Sequence, residues 1–271
     1  MVTVMKMKTL IGSDAADIPE EVIEKLLLRS SAKVEKALQR IRRPQAAVGI
    51  VKSKLGNLLV ALSARGIVLN HYLEETTDVA AALAKLRVQF DPVEDQRVVG
   101  EVGEEVNRYL TGRANALRHR VDLTLAGNAF QKKVLDELQE VPRGALISYQ
   151  ALGVAVGSAS SARAVGNALH NNPVPIYVPC HRVISSDGRI GGYGGGAGRK
   201  LQLLRSEGFA LADQAVRLPD SVVWGHRTTQ IYCRTNCRAA ARVDRGRMLF
   251  FADQKAARQA GLRPCKICRP E

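Results

Sequence analysis

Three changes of hydrophobic period divide the chain. Over residues 20–43 (EEVIEKLLLRSSAKVEKALQRIRR), Ile23, Leu26, Leu27, Val34, Leu38 and Ile41 recur at helical spacing until Pro44 stops the pattern. That spacing predicts one or two amphipathic helices in an amino-terminal extension over residues 1–45. The following VGIVKSKLGNLLVALSARGIVLNHYL reads as two or three short antiparallel strands, with turn residues at Leu55-Gly56-Asn57 and Ala64-Arg65-Gly66. Residues 78–112 return to helical spacing.

The third change comes after residue 118. FQKKVLDELQEV places Phe130, Val134, Leu135, Leu138 and Val141 on one helical face, and Pro142, Arg143 and Gly144 break it. ALISY is strand-like, QALGVAVG reads as a short helix closing at Gly157, and SASSARAVGNALHNN as a second helix ending before Pro173. Helix, break, short helix, turn and second helix make a helix-turn-helix or winged-helix pattern. Ala159, Ala162, Ala164, Gly166 and Ala168 leave the second helix nearly smooth, with Arg163 its one long charged side chain. Glycine inside a helix costs about 1 kcal/mol relative to alanine. A smooth helix alone suits tight core packing. After a helix-turn-helix pattern it suits close approach to a nucleic acid backbone, with Arg163 placed to insert into a groove or stack. LADQAVRLPD, residues 211–220, reads as a linker into a last segment, 221–271.

Charge sharpens the choice of partner. The net charge is +14, and the stretch from Pro219 to Glu271 holds 11 basic against 4 acidic residues, half the excess in a fifth of the chain. Charge so concentrated favours a polyanion over mere solubility. No apolar run is long enough to span a bilayer, and the amino terminus lacks the sustained apolar segment of a secretory signal, so a cytoplasmic protein is expected.

The five cysteines suggest two different jobs. Cys233 and Cys237, then Cys265 and Cys268, form two close pairs separated by 27 residues, the spacing of a closed four-thiolate zinc site. Cys180 stands alone beside His181. By itself that pair is weak, because a buried inert cysteine is common and a free thiol near pKa ~8.5 needs a base or a lowered pKa to act. The glycine cluster at 191–198 lacks the Gly-Lys-Ser/Thr ending of a phosphate loop and reads as a pocket rim.

The run RAVGNALHNNPVPIYVPCHRVISSDGRIGGYGGG, with KLQLLRSEG, closely resembles the O6-alkylguanine-DNA alkyltransferases, which take alkyl groups from damaged guanine. The resemblance covers roughly residues 46–210 and implies an α+β fold. A small antiparallel-sheet, ribonuclease H-like domain (46–118) would precede a winged-helix-like alkyltransferase domain (119–210). Cys180 would accept the alkyl group; His181, through a water, would take the thiol proton; Glu207 would orient His181. Tyr149 would offer its phenol to the guanine ring, and Asn172 would brace the turn before the active segment. Arg163 would fill the gap left by a flipped base, on a helix whose Ala162 and Gly166 approach the minor groove, while Tyr193 would line the pocket. Gly194 takes the place of a serine common in that loop. Double-stranded DNA with alkylated bases is the implied partner, met by a monomer in a single turnover with no cofactor for the transfer.

GHRTTQIYCRTNCRA and GLRPCKICRP resemble the zinc domain of Ada-type proteins, which removes methyl groups from DNA phosphotriesters. Cys233, Cys237, Cys265 and Cys268 would then hold Zn2+, with Cys233 a possible second methyl acceptor, and Thr229, Arg227 and Arg263 at phosphate-proximal positions. Three departures stand out: the usual Trp- and Asp-containing opening is missing, Ala240 replaces a DNA-contacting arginine with Arg238 and Arg242 near, and the domain comes last. A structural or DNA-anchoring zinc module is the alternative for this segment. A methylation-switched transcriptional regulator would need further helix-turn-helix motifs, for which residues 1–45 are too few. Alkyltransferase-like lesion binders replace the acceptor cysteine, whereas Cys180 is present.

Overall fold

The computed structural model describes Glu21, Lys25 and residues 43–74, 76–158, 162–238, 243 and 247–270. The helical pattern expected over 20–43 lies almost wholly outside the described residues, as do Ala159, Ala240 and Arg242.

The alternating segment forms a meander of β1 (Gln45–Ser53), β2 (Gly56–Ser63) and β3 (Gly66–Leu73), antiparallel throughout. Gly66 makes the second turn possible. Its φ of 141° is closed to most side chains, and a Cβ there would lie 2.3 Å from the Arg120 carbonyl oxygen, so glycine lets β3 run against residues 120–122. A fourth strand, β4 (Asp91–Glu94), pairs parallel to β1, giving the order β3-β2-β1-β4. The sheet is therefore mixed, where the pattern predicts antiparallel strands alone. Four residues including Pro92, set inside a helical pattern, carry no strand signal, and proline is tolerated at such an outer position. The flanking helices are α1 (Thr76–Leu86) and α2 (Gln96–Leu110). Asp95 caps α2, accepting from the Val98 N–H, and Val99, Val102, Val106 and Tyr109 form its buried stripe.

The second half begins with α3 (Ala129–Gln139), capped by Asn128 and burying Val134, Leu135 and Leu138. Strand β5 (Ala145–Ser148) follows, with Ala145, Leu146 and Ile147 at most 1% exposed. Ser148 caps α4 (Tyr149–Ala155), and α5 (Ala162–His170) lies beyond the turn. Cys180–Arg182 form a 3-10 turn, and β6 (Val183–Ile184) then pairs parallel to β5. Helix α6 (Ala197–Ser206) ends this part.

Residues 221–271 do not build a sheet of their own. Strands β7 (Val223–His226), β8 (Ile231–Arg234), β9 (Met248–Phe251) and β10 (Arg263–Pro264), with α7 (Gln254–Gln259), extend the sheet already begun. β9 pairs antiparallel with β5, matching Ala145 to Phe251 and Ile147 to Leu249, so six strands run in the order β10-β8-β7-β9-β5-β6. The segment 211–220 holds no helix or strand, yet it is fastened down. Leu211, Ala215 and Leu218 pack against a core of Leu204, Phe209 and Val222, and the Ile190 N–H donates to the Val216 carbonyl. One apolar cluster reaches from Val60 and Ile67, through Val102 and Leu135, to Val223 and Tyr232. No described helix is long and apolar enough to cross a membrane.

Candidate active site and metal centre

The active segment is delivered by a turn built around Asn172. Its side-chain oxygen accepts from the Val174 N–H (3.0 Å), while its amide donates to the Val178 carbonyl (2.9 Å) and to Cys180 Sγ (3.2 Å). Strand β3 grips the same turn from outside: the Asn70 N–H donates to the Pro173 carbonyl and its side chain to the Pro175 carbonyl. Ile176, buried inside the turn, adopts a φ of 76°, which a β-branched residue holds only where its surroundings impose it. Within the 3-10 turn the two neighbours meet different partners, Cys180 the Asn172 amide and His181 the Glu207 carboxylate.

Cys180 is 8% exposed. Burial pushes its thiol up, opposed by the Asn172 amide and the charge of Lys200. His181 is wholly buried, and burial lowers it despite the pull of Glu207, so the imidazole is neutral. Its Nε2 lies 2.8 Å from Glu207 Oε1. Burial would raise Glu207, but the hydrogen bonds it accepts from His181 and Arg182, with the Arg182 charge, outweigh that and hold the carboxyl well below the usual range. A neutral imidazole against an ionised carboxylate must carry its proton on Nε2, which leaves Nδ1 as the lone-pair nitrogen. Nδ1 is buried and makes no hydrogen bond.

Glu207 is satisfied on every side. Arg182 grips both oxygens, with Nε 2.9 Å from Oε2 and Nη2 2.9 Å from Oε1, and Tyr109 donates its hydroxyl to Oε1 (2.6 Å). Arg182 also donates to the Val141 carbonyl and the Tyr109 hydroxyl. A fully buried Lys200 donates to the carbonyls of Val183, Ile190 and Gly192, tying the strand after Cys180 to the loop that carries Tyr193. Burial lowers its ammonium to about 8, against the opposing effect of Cys180.

The remaining expected residues surround this centre. The Tyr149 ring lies between two glycines: a Cβ at Gly166 would fall 3.9 Å from its Cε1, and one at Gly191 3.8 Å from its Cε2. Burial and the nearby Cys180 push its phenol up, so it stays a neutral donor. Gly166 thus faces Tyr149 across the helix boundary, while Ala162, Arg163 and Ala164 are exposed and Ala168 turns into the core. Tyr193 stands edge-on to His181, with ring centroids 6.4 Å apart.

Sequence reasoning missed Arg182, Tyr109, Lys200 and Tyr72. Periodicity held two of them. Tyr109 continues the stripe Val99, Val102, Val106, and Lys200 occupies the buried side of α6 with Leu201 and Leu204. A lysine or tyrosine on an apolar stripe asks for a buried polar partner.

In the carboxy-terminal segment, β8 supplies Cys233, the following turn Cys237, and the chain after β10 Cys265 and Cys268. The four sulfurs all lie within 4.8 Å of one another. A tetrahedral zinc with Zn–S bonds of about 2.3 Å sets sulfurs about 3.8 Å apart, so the set fits zinc with slight closure. Cys265, although burial raises it, is brought down to about 7 by the N–H groups of Cys268 and Ile267. Cys233 is the most enclosed ligand at 1% exposure, whereas Cys268 is only half-buried. Arg263 and Thr229 are exposed near the β7–β8 turn, but Arg227 is engaged with Glu137 of α3 at 3.2 Å.

A buried thiol beside a neutral imidazole bonded to a buried carboxylate, with a separate set of four sulfurs suited to zinc, points to a cysteine group-transfer protein with a zinc module. The family model for "6-O-methylguanine DNA methyltransferase, DNA binding domain" matches residues 129–209, and that for the "metal binding domain of Ada" matches 209–271. The methylated-DNA–protein-cysteine methyltransferase of Methanosarcina barkeri is 34% identical over 160 residues, covering 58% of this chain and 94% of that protein. The chain belongs to this methyltransferase family and carries an Ada-type zinc domain. Escherichia coli Ada, described as a bifunctional transcriptional activator and DNA repair enzyme, is 35% identical over 154 residues, 57% of this chain but only 43% of Ada. Among solved structures, the O6-methylguanine methyltransferase of Mycobacterium tuberculosis aligns with 32% identity and a TM-score of 0.50, over 60% of this chain and 93% of its own.

Proposed function

We propose that the protein repairs duplex DNA by moving the alkyl group of O6-alkylguanine onto Cys180, once per molecule, as a monomer in the cytoplasm. The observation that carries this reading is the His181 imidazole, whose Nε2–H is held by Glu207 while Nδ1 keeps a free lone pair. The Cys180 proton passes through a water to Nδ1. The sulfur then attacks the alkyl carbon in line, a C–S bond forms, and the C–O6 bond breaks with its electron pair moving onto guanine. The Tyr149 phenol gives its proton to the base as that charge builds, guanine leaves neutral, and the proton held on His181 replaces the one Tyr149 gave up. The thioether has no easy reversal.

Access requires the base to leave the stack, which costs a few kcal/mol. Arg163, exposed at the start of α5 beside Ala162, fills the vacated space. In this reading, residues 46–118 form a ribonuclease H-like support and residues 119–210 a winged-helix-like reader. The zinc module, 221–271, adds a second DNA contact through Arg263 and Thr229. Two readings of Cys233 divide here. The resemblance to the Ada zinc domain supports a methyl acceptor for phosphotriesters, while its enclosure favours a module that holds zinc and anchors DNA.

Intact-mass analysis tests both. Duplex DNA carrying O6-methylguanine should add one methylene mass mapping to Cys180, absent in Cys180→Ala. An unmodified protein would sink the proposal. Methylphosphotriester DNA should label Cys233 only if the acceptor reading holds; labelling confined to Cys180 leaves the anchor.

A further inference from the structure

The small sheet contributes a side chain to the pocket rim. Tyr72, near the end of β3, places its hydroxyl 2.8 Å from that of Tyr193, with ring centroids 6.1 Å apart at 73°. Both rings close around Gly195, where a Cβ would lie 2.5 Å from Tyr72 Cε2 and 2.7 Å from Tyr193 Cε1. Arg199 covers Tyr72 from the other side, its guanidinium carbon 4.6 Å from the ring centroid, while donating to the carbonyls of Leu55 and Gly195. Burial pushes both phenols up, so their contact joins two neutral hydroxyls.

The rim needs such a hold. Six of the eight residues from 191 to 198 are glycine, and Tyr193 is the one large side chain among them. Glycine loses more conformational freedom on ordering than any other residue. The place of the Tyr193 ring therefore depends on what it touches. Lys200 fixes the backbone at Gly192 and Arg199 fixes it at Gly195, but Tyr72 holds the far end of the ring itself. Tyr193 in turn meets His181 edge-on, so a line of contacts runs from β3 to the base that serves Cys180.

We propose that Tyr72 is a positioning residue which, by holding the Tyr193 hydroxyl, sets the size of alkyl group admitted over Cys180. The inference rests on Tyr193 as a wall of the alkyl pocket. With the hydroxyl released, the ring swings outward: bulky groups gain room, and a methyl group loses the surface that presses it toward the sulfur.

The test is single-turnover transfer to Cys180 from matched duplexes carrying O6-benzylguanine and O6-methylguanine. Tyr72→Phe keeps the ring and its Arg199 contact and removes only the hydroxyl. The benzyl-to-methyl rate ratio should rise about fivefold, the rate equivalent of one neutral hydrogen bond of about 1 kcal/mol. Tyr193→Phe should shift the ratio in the same direction, and the double variant should go no further than either single one. Gly195→Ala, which forces the two rings apart, gives an independent variant with the same expected sign. A Tyr72→Phe ratio equal to that of the unaltered protein would overturn the proposal, as would additive shifts in the double variant. An unaltered protein that takes no label from either duplex would overturn the pocket reading and this inference with it.

Discussion

His181 and Glu207 share a 2.8 Å hydrogen bond with neither side chain exposed to solvent. The bond fixes which imidazole nitrogen holds a proton, and it makes the protein's stability depend on pH in a definite direction.

Both groups titrate lower in the folded protein than in the unfolded chain. For each, the unfolded state binds protons first as pH falls, so acid favours unfolding. The His181 contribution is complete above pH about 6.5 and is lost below it; the Glu207 contribution is complete above about 4.5 and is lost below that. Denaturant unfolding followed from pH 8 to pH 3 should show stability falling in these two windows. Glu207→Gln should shrink the lower window, to which the lowered carboxyls of Glu105 and Asp122 also contribute, and cost about 3–5 kcal/mol at pH 7, because Arg182 stays buried without its counter-charge. A variant whose stability at pH 7 matches the parent would refute this account.

In the proposed mechanism Arg163 acts in the flipping step alone. Removing it should slow transfer from a duplex while sparing reactions that need no flipped base. The rate with O6-methylguanine in duplex DNA, divided by that with free O6-benzylguanine, should fall about tenfold in Arg163→Ala, equivalent to about 1.4 kcal/mol of a flipping cost of a few. Parallel losses on both substrates would instead place Arg163 in general support of the fold.

Zinc should report on the alkyltransferase half. One metal ion per chain is expected by elemental analysis, lost in Cys237→Ser. Because β9 pairs with β5, chelation should speed amide hydrogen exchange across Ala145–Ser148 as well as within the zinc module. Exchange confined to residues 221–271 would mean that the shared ladder carries no stability between the two parts.

The line between what sequence revealed and what it hid follows the range of the interactions. Val134, Leu135 and Leu138 on one face of α3, the break at Pro142 and the four clustered cysteines are local patterns, and each was readable from spacing. The β5–β9 pairing joins residues about a hundred positions apart through four-residue strands, too short to announce a partner. Arg182 stood within the recognised motif, but its role is set by Tyr109 on α2 and by Glu207, which caps the end of α6. Tyr72 looked like an ordinary aromatic in a strand until the fold brought it to Tyr193.

The β5–β9 ladder also changes what a shortened protein would be. Ending the chain at the close of α6 would leave β5 paired with β6 alone and open the N–H and C=O groups on its other edge, along the buried apolar run Ala145-Leu146-Ile147, to any passing chain. Open, flat, apolar edges of that kind are templates for aggregation. The zinc module is thus a cover for that edge, and a truncation meant to isolate the alkyltransferase would create a sticky border that the intact molecule never displays.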